Sequence, residues 1–214
     1  MGPLASEGPM TVATLAIRKG RKFDQVLDGA RDVFMADGFE GASVDEIARV
    51  ANVSKATLYS YFPDKRLLFM EVATAECQRQ ARGAMDKIDM EAAPQDVLAQ
   101  TGQHFLRFIT SDFGQKIFRI CVAESERFPD LGQKFYNSGP AVFRTEMAAY
   151  FKQAEARGQL RMSDHLMAAD QFGELCKSDV WPRLIFGVID KVSEAEIIRV
   201  VDSAVETFMA RYGT

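Results

Sequence analysis

Two helix-start signals, Ser43 and Ser54, stand so close in the chain that only one short helix and one tight turn fit between them. Ser43 and Glu46 have the spacing of a capping box, in which the Ser hydroxyl accepts the Glu backbone N–H and the Glu carboxylate reaches back to the Ser N–H. Val44, Ile47, Ala48 and Ala51 then recur at helical spacing and give that helix one apolar face. Asn52 falls where the chain must turn, and Asn tolerates the left-handed backbone better than any residue but glycine. Val53 plugs the inside of the turn, and Ser54 caps a second short helix. Small Ala48 and Ala51 let the two helices come close, while Leu58 anchors the second one. Few arrangements satisfy all of this except a helical corner with one helix projecting.

The projecting helix exposes Lys55, Ala56, Thr57, Tyr59 and Ser60. A recognition helix of this kind puts its first residues on base edges and phosphates in a major groove. Lys bonds guanine acceptors, Thr bonds a base or touches a thymine methyl, and Ala permits close approach. Tyr59 and Tyr61 carry hydroxyls suited to phosphates. Asp64 is expected to cap the next helix, with Lys65 at a helix start that favours a phosphate. Upstream, Arg18, Lys19, Arg21 and Lys22 form a basic cluster. Such an arm contacts phosphates or enters a minor groove; its alternative is an ordinary solvated helix start. A plain helical hairpin with a solvated polar face is the alternative for the whole motif.

Residues from about 22 to 70 resemble the DNA-binding domain of the TetR family of bacterial transcriptional repressors. The resemblance is carried by residues 30–39 with Gly38, then Ser43, Ile47-Ala48, Ala51-Asn52-Val53-Ser54, Thr57-Leu58-Tyr59, Tyr61-Phe62, Lys65 and Leu68. Asn52 stands where the family more often has Gly, and Ser43 where it more often has Thr; each keeps the physical role. Further along, Arg119, Glu124, Arg127-Phe128-Pro129, Leu131, Phe135-Tyr136 and Gly139-Pro140 are similar to the AefR-like subgroup of TetR C-terminal domains. So are Gly158, Leu160, Asp164, Ala168-Ala169 and Phe172. The resemblance implies a homodimer that binds double-stranded operator DNA and releases it when a small molecule enters the C-terminal domain.

A net charge of −4 looks unsuited to a DNA binder, but the distribution differs from the sum. Residues 1–66 hold nine basic and nine acidic side chains, so the acidic excess lies in 67–214. The chain length of 214 residues and 47% apolar content allow a real core. No apolar run approaches the ~18 residues of a membrane span, so no membrane partner is expected. The N-terminus lacks the order of a signal peptide. Three widely spaced cysteines, Cys77, Cys121 and Cys176, fit reduced thiols in a bacterial cytoplasm better than a disulfide framework. They are either small core residues or, alternatively, a redox sensor.

The expected organisation is all-α with about nine helices. Residues 1–16 read as a disordered extension, 17–66 as the helix-turn-helix domain, and 67–214 as a larger domain for ligand binding and dimerisation. Helical spacing covers about 18–37, ended by Gly38, then 65–89 as a linker between the two parts. Further helices are expected over 95–111 and 115–127, with Asp112-Phe113-Gly114 as a break. A long helix over 130–157 is expected to kink at Gly139-Pro140. Another, capped by Asp164, must accommodate Pro182, and the last runs over 194–211. Its wide apolar stripe is expected to face a second subunit, with Phe186, Ile197, Val201, Val205 and Phe208 in that interface.

Sixteen Phe residues are many for this length. Phe105, Phe108, Phe118, Phe143, Phe151 and Phe172 could line a cavity or simply fill a core, with Met147, Met167 and Trp181 adding adaptable or flat surface. Phe105, Phe108, Cys121, Glu124, Met147, Phe172 and Trp181 are the candidate ligand set. Glu124 shares a helical face with Ile117, Ile120 and Cys121; it either pairs with Arg119 or Arg127 or orients a polar or cationic ligand. The two histidines, His104 and His165, lie far apart without metal-ligand spacing, so neither metal nor other cofactor is expected. No glycine-rich phosphate loop, nucleophile elbow or paired-carboxylate motif supports an enzyme. The alternative to a ligand-released repressor is an architectural or protein-recruiting DNA-binding factor, which needs no internal cavity.

Overall fold

The computed structural model describes residues 20–85 and 88–214, and among them the chain is all helical apart from one isolated bridge between Leu160 and Gly213. The disordered extension expected over 1–16, and Arg18 and Lys19 of the basic arm, lie outside the described residues.

Eleven helices are described rather than about nine. The first four are α1 (Arg21–Gly41), α2 (Val44–Val50), α3 (Lys55–Tyr61) and α4 (Lys65–Met85). They are followed by α5 (Pro94–Thr110), α6 (Asp112–Glu124), α7 (Pro129–Ser138) and α8 (Pro140–Ala156). The last three are α9 (His165–Lys177), α10 (Val180–Ile185) and α11 (Glu194–Tyr212).

The extra helices come from two prolines. Pro140 does not kink a long helix; it starts a new one at the first helical position, where its missing N–H costs nothing. Near Pro182, the chain breaks at Asp179, whose φ of 65° is left-handed, and α10 becomes a separate short helix. Gly38, with φ 70°, interrupts α1 as expected, but the chain adds one more turn to Gly41. The expected break at Asp112-Phe113-Gly114 is instead the first turn of α6, capped by Ser111, whose Oγ accepts the Gly114 N–H. Gly114 is there for closeness, since a Cβ would lie 3.0 Å from Ile109 Cα and closer still to the Phe108 carbonyl.

Two apolar cores result. One gathers α5, α8, α9 and α11 around Leu98, Leu106, Phe151, Phe172 and Phe208. The other gathers α1 to α4 around Phe23, Val26, Ile47, Leu58 and Leu68, and also takes in Ile117 and Cys121 of α6 and Leu131 of α7. Phe69 of α4 sits at its centre, with ring centroids 5.0 Å from Phe34, 5.1 Å from Phe39 and 6.1 Å from Phe113 of α6. The cores therefore do not part at residue 66.

Candidate nucleic-acid interface and internal cavity

The helical corner is built from close backbone approach. Asn52 takes a left-handed φ of 52° between α2 and α3. Gly29 of α1 meets the turn so tightly that a Cβ would lie 2.8 Å from the Ala51 Cβ. Ser43 Oγ accepts the Glu46 N–H at 3.0 Å, which starts α2. The reciprocal half of the expected capping box is not made: the Glu46 carboxylate instead takes both guanidinium N–H groups of Arg49, and this holds its pKa below the usual carboxylate range. Ser54 Oγ accepts the Thr57 N–H at 3.1 Å and starts α3, whose Leu58 is buried beneath.

With Leu58 inward, α3 presents Lys55, Ala56, Tyr59 and Ser60 to solvent, and Thr57 half-exposed. Thr57 Oγ1 lies 2.9 Å from Ser54 Oγ, and Ser60 Oγ donates to the Thr57 carbonyl at 2.7 Å, so the small hydroxyls rest on the helix itself. Lys55 pairs with Asp45 of α2 across an exposed surface, a contact that exchanges readily for a phosphate. Arg21 and Lys22 are exposed at the start of α1. Tyr61 is half-buried, packed edge-on at 5.7 Å from Phe23.

Lys65 departs from the expected phosphate role. Its ammonium turns inward, donating to the Phe39 carbonyl at 2.8 Å and the Ala42 carbonyl at 3.0 Å, 4.5 Å above the Phe39 ring. It closes the carbonyl-rich end of α1, where a cation is favoured. Next to it, Asp64 caps α4 through the Arg66 N–H at 2.8 Å and binds the Arg66 guanidinium. The other side of that guanidinium reaches Glu124 of α6 at 2.8 Å. Glu124 thus pairs with neither Arg119, which donates to the Leu184 carbonyl, nor Arg127, which lies over Phe128. A partner 58 positions away leaves no trace in local spacing.

The larger body holds a cavity of about 580 Å³ lined by α4, α5, α6, α7, α8 and α9, with Trp181 of α10 also on its wall. Phe105, Phe108, Met147 and Trp181 of the candidate ligand set line it, as do Phe118 and Phe143. Phe105 and Phe143 stack at 4.6 Å, and Phe118 meets Trp181 edge-on at 5.1 Å. Cys121, Glu124 and Phe172 are corrections to that set. Cys121 is buried against Met70, Glu124 holds Arg66, and Phe172 packs against Phe208 in the core. Phe151 is likewise core, and Met167 lies at the surface. Thr101, His104 and Ser138, which sequence spacing did not single out, also line the cavity. Burial pushes the thiols of Cys77, Cys121 and Cys176 up to about 12, so each stays protonated and unreactive at neutral pH, against a redox sensor.

The expected subunit interface is corrected in the same way. Ile197, Val201, Val205 and Phe208 are buried within this chain, facing α5 and α9. Only Phe186 of that group is exposed, at 83%, joined by Val188 at 70% and Ile198 at 40%.

Residues 26–72 match the family model for bacterial regulatory proteins of the tetR family, and residues 96–214 match the C-terminal domain of AefR-like transcriptional repressors. The chain belongs to the TetR family. TetR-family proteins are DNA-binding transcriptional regulators rather than enzymes, and this chain carries their reading head on α1 to α3. It is 30% identical over 80 residues to the transcriptional repressor AcnR of Corynebacterium diphtheriae, a match covering 37% of this chain and 42% of AcnR. It is 30% identical over 105 residues to the regulator YdeS of Bacillus subtilis, covering 47% of this chain and 50% of YdeS. The matched segments thus span half or less of these curated relatives.

Among solved structures, a TetR-family regulator from Mesorhizobium loti superposes with a TM-score of 0.79 at 27% identity, covering 91% of this chain and 98% of that one. The flavonoid-responsive regulator FrrA superposes at 0.69 with 31% identity, again over 91% and 98%. No helix among the described residues is long and apolar enough to cross a membrane.

Proposed function

We propose that this TetR-family regulator is a homodimeric repressor that leaves its operator when a small, mostly apolar molecule fills the cavity. The observation that carries this is a shared wall. Ile117 of α6 lines the cavity and at the same time belongs to the core of the reading head. A ligand that displaces α6 therefore strains the packing that positions α1 and α4. The Glu124–Arg66 pair adds a polar tether from the same helix to the start of α4. Two heads must meet successive major grooves about one turn, ~34 Å, apart, so a small rotation of α4 spoils the spacing. The ligand must bind the released arrangement more tightly than the DNA-bound one, or it shifts nothing. FrrA, named as flavonoid-responsive, is consistent with an aromatic-lined site of this size.

The test combines thermal unfolding with operator binding. Molecules that raise the melting temperature by mass action should lower operator affinity, because the coupling is reciprocal. Stabilising ligands that leave operator affinity unchanged would sink the release mechanism and favour a recruiting factor.

A further inference from the structure

Four cavity-lining residues of α5, Thr101, His104, Phe105 and Phe108, follow the i, i+3, i+4, i+7 spacing of one helix face. At the helical rise they span ~10 Å, the length of a two-ring aromatic molecule. The Phe end is a stacking surface, continued across the cavity by the Phe105–Phe143 pair. Thr101 marks the other end. It is only 7% exposed, and its Oγ1 is buried without a hydrogen-bond partner in the protein. Buried hydroxyls are normally paired, and this one belongs to a residue of the cavity wall, where a turn about its Cα–Cβ bond would present it to what the cavity receives. Ser138, 3% exposed, also lines the cavity; its O–H donates to the Phe135 carbonyl at 3.1 Å, which leaves its lone pairs to accept.

The charged groups on the lining argue about ligand charge. Asp170 is held by Arg144 at 2.9 Å and Glu174 by Lys177 at 2.6 Å. Among the described residues, Glu146, exposed on α8, is held by no Arg or Lys. Among the described residues of the lining, the one lysine, Lys177, is engaged by Glu174, so a carboxylate ligand would meet Glu146 instead.

We propose that the effector is an uncharged aromatic molecule bearing a hydroxyl, its rings among the phenylalanines and its oxygen bonded to Thr101. This rests on the cavity being the effector site. Three probes of one skeleton test it: biphenyl, 4-phenylphenol and biphenyl-4-carboxylate, measured by calorimetry and by Trp181 emission. Wild-type protein should bind 4-phenylphenol about tenfold more tightly than biphenyl, and the carboxylate most weakly. Thr101→Val, nearly the same shape without the hydroxyl, should lose that tenfold for 4-phenylphenol while biphenyl binding stays the same. Its melting temperature without ligand should be equal or higher, since a buried unpaired hydroxyl is removed. Thr101→Ser should keep the preference. Equal binding of biphenyl and 4-phenylphenol by the wild type, or unaltered 4-phenylphenol affinity in Thr101→Val, would overturn the Thr101 anchor while leaving the cavity reading intact. Tightest binding of the carboxylate would overturn the charge assignment. Failure of all three to bind would overturn the cavity reading as well.

Discussion

Lys55 and Lys65 show how two lysines on one motif acquire opposite roles. Lys55 sits on an exposed helix with an exposed carboxylate partner, whereas Lys65 reaches back under the end of α1 to two carbonyls and an aromatic face. Lys55→Ala should lower the slope of log affinity against log salt by about one, with little change in folding stability. Lys65→Met should leave that slope alone and cost ~1–3 kcal/mol of stability, because carbonyls tied by a charged donor lose it. Denaturant titration and salt-dependent operator binding separate the two; a Lys65→Met protein with native stability and a reduced slope would reverse the roles assigned here. Identity and spacing place both residues beside DNA in the sequence. What they could not show is a side chain turning back against its own helix order, since Phe39 and Ala42 lie more than twenty positions upstream.

At the scale of helices, strong local signals are legible in the sequence. Ser43, Asn52, Ser54 and Leu58 fixed the corner because caps, turns and anchors act over a few residues. Glycine and proline are less legible, because each has two structural meanings. Gly114 permits contact rather than breaking a helix, and Pro140 starts a helix rather than bending one. The cavity was half legible: its phenylalanines stand out by number, but Phe172 and Phe105 are told apart only by which helix each one faces. The link between α4 and α6 was not legible at all. Arg66 holds the Asp64 carboxyl below its usual pKa, chiefly by hydrogen bonding to it. The stabilisation from Asp64 is therefore complete above the ordinary carboxylate pKa of about 4 and is lost as pH falls through the lower, folded value. Arg66→Leu should remove this contribution and move the midpoint of acid unfolding to higher pH. An unchanged midpoint would show that the cluster carries no stability.

For the molecule as a whole, the apolar stripe of α11 is consumed internally, so the proposed dimer would have to use what remains outside. Phe186 and Val188 in the segment before α11, with Ile198 on it, are the exposed apolar side chains there. Phe186→Glu combined with Val188→Glu should give monomers in sedimentation and abolish operator binding while the melting temperature of the subunit holds. Val201→Glu should instead unfold the subunit, since it forces a charge into a closed core. A double variant that still sediments as a dimer would place the interface elsewhere. The merging of α6 and α7 into the core of the reading head has a consequence for how such proteins can be recombined. Ile117, Cys121 and Leu131 are lost to any fragment cut after α4, and Phe69 and Met70 would then face water. A chimaera that grafts this reading head onto another regulator's body would inherit a hole, unless the grafted portion brings α6 and α7 along or the new body supplies side chains of the same shape.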